Sequence, residues 1–322
     1  MGTKHTSADR GPHPTAVRKA GDLPTMLAGR VPRRPTSESQ PSRPTSISLP
    51  GRIVAYTLLA VATLWSLLPL AWSVAASFTP REDIFRYALP FSWHALLPDH
   101  LTLQAYQNVI ASPFPQALAN TLFVCTLTVA FGLITNSMAG FAFAIFTFPG
   151  KRLLFVFVLI TFMIPFEVLG LPLYTIFTGL HFDNSFQAIV LPFVANGLVI
   201  FLFRQFFTKL PRELLDAGRV DGLSWFGVYF RIVVPLTIPV MISGGLILFL
   251  SQWESLFWPL LIANSSDHQM VQVVIANFRT QYATNWDQLF SEAVVIVVIP
   301  IAMLLVLQRY YVRTIATTGL RE

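Results

Sequence analysis

Long apolar runs alternate with short polar segments along nearly the whole chain, and that alternation predicts the elements. The first run, Ile53 to Phe78, carries no charge and includes Trp65 and Trp72. About 20 apolar residues suffice for a helix to cross a bilayer. Further runs follow at Thr121–Phe148, Leu153–Thr178, Phe186–Phe203 and Ile238–Ile262. The last, Ala293–Leu307, is short; it extends back toward Trp286 or relies on tilt and flanking anchors. Gly132, Ala139 and Gly140 in the second run are small enough to let helices pack closely. Pro165 and Pro172 interrupt the third. The pattern predicts an all-α polytopic membrane protein with six transmembrane helices.

Composition agrees: 54% of residues are hydrophobic and 12% charged, with mean hydropathy +0.59. The pI near 9.7 does not indicate nucleic acid, because the basic residues flank the apolar runs. Residues 1–50 are rich in Pro, Ser, Thr and Arg without apolar periodicity, and read as a disordered cytoplasmic tail, a solvated extension or one able to meet anionic membrane lipid. Residues 51–115 then hold the first helix and an external loop, 116–311 a core of five helices, and 312–322 a short tail. Positive charge sets orientation. With both termini cytoplasmic, 19 of the 22 Lys and Arg lie inside, leaving Arg81, Arg86 and Arg279 outside. The single cysteine, Cys125, allows no internal disulfide.

One polar stretch stands apart. Pro211 to Pro239 concentrates Arg212, Glu213, Asp216, Arg219, Asp221 and Arg231 between two apolar runs. Charges of this density are costly in hydrocarbon, so the stretch lies on a membrane face. Pro211 suits a first helical turn, Gly222 a left-handed helix end, and Ser224 the cap of a second helix. Leu210, Leu214 and Ala217 recur on one face, and small Ala217 and Gly218 leave room for close approach by another protein.

This stretch resembles the cytoplasmic coupling motif of permease subunits of carbohydrate-type ABC importers, a pattern near E-A-A-x-x-D-G-A followed by an apolar pair and proline. Asp216, Ala217, Gly218, Asp221, Gly222 and Leu223 take those places, and Val233, Val234 and Pro235 close it. Asp216, Gly218 and Leu223 depart from the pattern; glycine at 218 lowers helix propensity by about 1 kcal/mol relative to alanine. Met163-Ile-Pro165, Arg204-Gln-Phe-Phe207 and Gln308-Arg-Tyr-Tyr311 extend the resemblance over about residues 53–315. It implies an inner-membrane subunit that pairs with a second permease chain and with ABC ATPase subunits. An extracytoplasmic solute-binding protein delivers a sugar or sugar-like solute. Glu213, Asp216, Ala217, Gly218, Asp221 and Gly222 are then the ATPase-coupling residues.

Candidate chemistry elsewhere is sparse. No phosphate-cradling G-x-x-x-x-G-K-[ST] occurs, nor any zinc-type spacing, so no catalytic residue, metal or cofactor is expected, and ATP belongs to a partner. Glu167 sits near the middle of the third run, where a carboxyl lines a translocation path or is hydrogen-bonded to a neighbouring helix. Glu254 stands where the family often has Asn, between Trp253 and Trp258; these aromatics line a sugar path or pack in the core. The segment Ala263–Gln288 reads as an external loop. Its Asn277, Arg279, Tyr282 and Trp286 are candidate contacts for the binding protein, or simply solvated. His181, Asp183 and Asn184 read as a structural external turn. An ion-gradient-driven secondary transporter is the alternative; it would need an ionisable relay, for which Glu167 and Glu254 are the candidates.

Overall fold

The computed structural model describes residues 49–87, 92–278 and 285–318, with side chains described except at 278 and 310–318. Residues 1–48 of the proposed tail, together with Arg279 and Tyr282, lie outside the described residues, while Leu49 and Pro50 already belong to the first helix. Two compact units divide after Tyr56, and the unit from residue 57 onward holds every helix except the start of the first.

Helices make up the described chain, with no strand among the described residues. They are α1 (Leu49–Ser77), α2 (Gln104–Ala111), α3 (Phe114–Ile145), α4 (Lys151–Met163), α5 (Phe166–Gly179), α6 (Phe186–Val194) and α7 (Gly197–Phe207). Then come α8 (Arg212–Val220), α9 (Trp225–Val228), α10 (Val234–Leu236), α11 (Ile238–Trp253), α12 (Phe257–Ile262), α13 (Val271–Phe278) and α14 (Trp286–Thr318). Three helices, α1, α3 and α14, are each long and apolar enough to cross a membrane. Three bent pairs bring the possible spans to six: α4 with α5 at 99°, α6 with α7 at 41°, and the α9–α10 segment with α11 at 86°.

Each bend has a local cause. Between α4 and α5, Pro165 pushes Ile164 out of helical geometry, to φ −76° and ψ 123°. Pro172, by contrast, lies inside α5 without ending it. Between α6 and α7, Asn196 is extended and caps α7, its Oδ1 accepting from the N–H groups of Leu198 (3.0 Å) and Val199 (3.2 Å). Pro239 enters the first turn of α11, where its missing N–H is harmless.

The fifth apolar run is not one helix. It stops at Trp253, and Glu254–Leu256 separate α11 from the short α12. The last run does reach back to Trp286. The segment Ala263–Gln288 is not a simple loop either. Its Val-Gln-Val-Val-Ile-Ala portion forms α13, with Val271, Val273 and Val274 buried. Thr121 Oγ1 accepts from the Val271 N–H at 2.9 Å, and Asn120 donates to the carbonyls of Asp267 and Gln269.

The centre of the fold is α3, packed against α6, α7, α11 and α13. Small residues permit this. A Cβ on Gly140 would lie 2.5 Å from Phe203 Cβ and 3.0 Å from the Arg204 backbone nitrogen. One on Gly132 would lie 2.8 Å from Leu248 Cδ1. Buried Asn136, in the middle of α3, reaches the α6–α7 bend. Its Nδ2 donates to Val194 O (2.8 Å) and Gly132 O (2.6 Å), and its Oδ1 accepts from the Asn196 N–H (2.8 Å). The amide thereby serves backbone groups that the bend removes from the helical ladder.

Candidate functional site

The polar stretch folds as a tight helical hairpin, α8 and α9. Pro211 caps α8 with extended geometry (φ −59°, ψ 128°). The other end closes on Gly222 at φ +83°. The Leu223 N–H donates to Gly218 O (3.0 Å) and the Gly222 N–H to Arg219 O (3.1 Å), the paired bonds of a left-handed helix terminus. Ser224 then caps α9, its Oγ accepting from the Gly227 N–H at 3.2 Å. Arg219 straps the two helices: it donates to Leu223 O, and its guanidinium lies 5.1 Å from the Trp225 ring centroid.

Leu215, 2% exposed, and Gly218 face inward, while Leu214 and Ala217, which the sequence spacing puts on one face, are exposed. Leu215 joins a core with Phe141, Phe207, Val228 and Tyr229. A Cβ on Gly218 would meet Ile232 Cδ1 at 2.5 Å. Its smallness therefore serves packing within the subunit and is not a landing point for a second backbone. The same contact accounts for a glycine where the motif usually has alanine.

The outward face carries Glu213, Leu214, Asp216, Ala217, Val220 and Asp221. Val220 is 86% exposed. None of the three acids is in an ion pair among the described residues. Behind the hairpin, Tyr229–Val233 forms a π-helical turn, and the Tyr229 hydroxyl hydrogen-bonds Ser137 Oγ of α3 at 2.5 Å. The hairpin is thus tied to the central helix by a buried polar contact as well as by Leu215.

The remaining candidates divide. Glu167 is exposed in the first turn of α5, just past the α4–α5 bend, and Glu254 is exposed at the end of α11. The two breaks are neighbours, because Phe257 of α12 fills the space where Gly170 of α5 has no side chain. Trp258 is completely buried, its indole N–H donating to Ala188 O at 2.9 Å, with Phe166 and Phe177 edge-on to its ring. Trp253, 2% exposed, stacks on Phe249 at 5.4 Å. Both indoles occupy the aromatic core of the subunit and offer no open face for a sugar ring. Of the outer candidates, Asn277 is exposed near the end of α13, and Trp286 opens α14 with its ring against Phe85 (5.2 Å). The turn residue Asn184 is structural in effect, adopting φ 53° and accepting from the Ser265 N–H at 2.9 Å.

A profile of the binding-protein-dependent transport system inner membrane component family matches residues 136–317, which include Asn136 at the α6–α7 bend, the hairpin and nearly all of the final helix. The chain belongs to that family. A permease of the arabinooligosaccharide transport system of Halalkalibacterium halodurans is 30% identical over 258 residues, covering 80% of this chain and 91% of that protein. A permease of the sn-glycerol-3-phosphate transport system of Yersinia enterocolitica is 30% identical over 269 residues, covering 80% and 93%. A lactose transport permease of Rhizobium radiobacter is 27% identical, covering 80% and 92%. Among solved structures, a chain of a bacterial ABC transporter that imports the acidic polysaccharide alginate superposes with a TM-score of 0.74 at 20% identity. The match covers 84% of this chain and all of that one, so this permease has the fold of an ABC importer subunit.

Sequence reasoning passed over Asn136, Ser137 and Tyr229. The signal for the first two was present: an amide and a hydroxyl in mid-span are expensive unless bonded, which marks them as tied to something.

Proposed function

We propose that this permease forms part of the translocation path of an ABC importer for a sugar or sugar-like solute and is driven through α8 by a separate ATPase. The observation that carries this reading is the α8–α9 hairpin. It is rigid and anchored on its inner side, and its outer face presents three carboxylates, unpaired among the described residues, beside exposed apolar side chains. That is a surface for a groove with apolar walls and hydrogen-bond donors. The names of the relatives support the solute class.

The hairpin faces the cytoplasm in this reading, which the distribution of Lys and Arg supports. ATP-driven closure of the ATPase pair displaces α8, and Leu215 and the Tyr229–Ser137 contact pass that displacement to α3. A second permease chain completes the path. Glu167 and Glu254, beside adjoining helix breaks, border it, and the surface around Asn277 and Trp286, with Arg279 and Tyr282, meets the binding protein. ATP hydrolysis belongs to the partner, and this chain holds no cofactor of its own.

The test is a pull-down from the native host through a C-terminal tag, with Asp216→Lys as the variant. Recovery of an ATPase and a second permease with the parent, and loss of the ATPase alone with the variant, is the expected result. An ATPase retained at parental level by Asp216→Lys, with normal uptake, would remove α8 from the coupling role.

A further inference from the structure

Beside the base of α8 lies a second feature that the coupling role does not use. A cleft of about 980 Å³ opens between the start of α4 and the last turns of α7, at the end of the bundle from which α8 emerges. Lys151, Arg152 and Arg204 line it, and Arg212, the first residue of α8, lies within Coulomb reach of Lys151. No ion pair to a carboxylate involves any of the four among the described residues.

Two of these cations are held in place by the subunit itself. The Arg204 guanidinium lies 4.0 Å from the Phe155 ring centroid, and its Nε donates to Phe143 O. Lys151 Nζ donates to Phe146 O at 2.7 Å. These bonds leave most of the N–H groups of both side chains open, in a fixed arrangement. Four like charges so placed repel one another unless an anion joins them.

The rest of the lining identifies which anion. Phe148 and Phe155 also line it, while Leu153 and Val156 continue from the cations onto the exposed apolar face of α4, with Phe157 and Ile160 beyond. A soluble anion has no use for that face. An amphiphile does, because it carries a charged head and apolar chains in one molecule.

We propose that this cleft binds an anionic phospholipid, its phosphate among Lys151, Arg152 and Arg204 and its acyl chain along Leu153, Val156 and Phe157. The inference rests on the membrane-spanning reading and is independent of what α8 docks against. A bound headgroup neutralises the like charges at the root of α8 and so steadies the link from α7.

The experiment is native mass spectrometry of the full-length chain in detergent, titrated separately with phosphatidylglycerol and phosphatidylcholine. The parent should retain phosphatidylglycerol in preference. Arg152→Gln with Arg204→Gln should weaken that binding by roughly tenfold or more, two cations having been removed from a headgroup site, and leave phosphatidylcholine unchanged. Arg204→Lys should restore much of it. Equal phosphatidylglycerol retention by the double variant overturns the site. Displacement of the lipid by millimolar inorganic phosphate overturns the lipid assignment in favour of a small-anion site. Because Arg204 also packs on Phe155, photoreactive phosphatidylglycerol is applied to the parent chain as well: adducts should fall within residues 148–157, and adducts confined to other regions overturn the proposal whatever the variants do.

Discussion

Replacing Asn136 with leucine tests the account of the broken span most directly. The side chains are close in volume, so the change removes hydrogen bonds without opening a large cavity. Two backbone groups at the α6–α7 bend lose a partner, Val194 C=O and Asn196 N–H. The Gly132 carbonyl is less affected, because it lies within the helical ladder of α3. A buried backbone group left unpaired costs roughly 1–3 kcal/mol. Hydrogen bonds between helices in membrane proteins average nearer ~0.6 kcal/mol, because the unfolded state in lipid also finds partners. The expected loss is therefore about 2–4 kcal/mol, at the lower half of the first range for two groups. At roughly 2–4 °C per kcal/mol for chains near this size, Tm should fall by about 5–15 °C. Thermal unfolding of the purified protein in detergent measures it. Asn136→Asp separates shape from bonding: the carboxylate still accepts from Asn196, but ionised it has no proton to give Val194, and it faces two carbonyl oxygens. That variant should be at least as unstable as the leucine variant at neutral pH and partly recover as the carboxyl is protonated. A leucine variant melting within about 2 °C of the parent would refute the reasoning, since the loss of both bonds should lower Tm by about 4 °C or more.

Other expectations rest on single contacts. Gly222→Val should insert normally yet lose uptake, because φ +83° is costly for a β-branched residue by roughly 1–2 kcal/mol or more while the space around it is open; membrane quantity and solute uptake are compared. Gly140→Val should lower Tm more than Gly245→Ala, because the first drives a side chain into Phe203 and the backbone of Arg204 and the second meets only ordinary contacts at 3.5 Å and beyond. Trp258→Phe should cost about 1 kcal/mol for the bond to Ala188, and Trp258→Ala about 3–5 kcal/mol, with solute selectivity unchanged in the first case; altered selectivity would return Trp258 to the solute path.

Much of the architecture was legible because its signals are local. Long apolar runs predict helices of membrane-spanning composition, and α1, α3 and α14 are single helices long enough to cross. Pro165 predicts its own bend through the residue before it, and Gly222 and Ser224 predict the hairpin closure through φ and a hydroxyl. The direction in which α8 faces was not legible. Leu214 and Leu215 are adjacent and 100° apart on a helix of nine residues, so the choice between them belongs to Ile232, Phe207 and Tyr229, which arrive from elsewhere. The helix α13 was hidden for a related reason: eight residues between polar segments look like a loop until Thr121 and Asn120 supply partners from a distant part of the chain. Trp253 and Trp258 show the same limit from the chemical side. An aromatic pair beside a carboxylate looks alike in a path and in a core, and only burial separates the two.

The strap between Arg219 and Trp225 bears on affinity rather than on shape. A short peptide with the α8 sequence would have to become ordered on binding, losing backbone freedom worth roughly 1–2 kcal/mol per residue. In this chain the caps at Pro211 and Ser224, the left-handed Gly222 and the strap have already removed that freedom during folding. A partner that grips α8 therefore loses little beyond the rotamer entropy of Glu213, Asp216 and Asp221, roughly 0.5–1.5 kcal/mol for each side chain it immobilises. An isolated peptide copied from α8 would therefore bind any such partner far more weakly than its contacts alone would indicate.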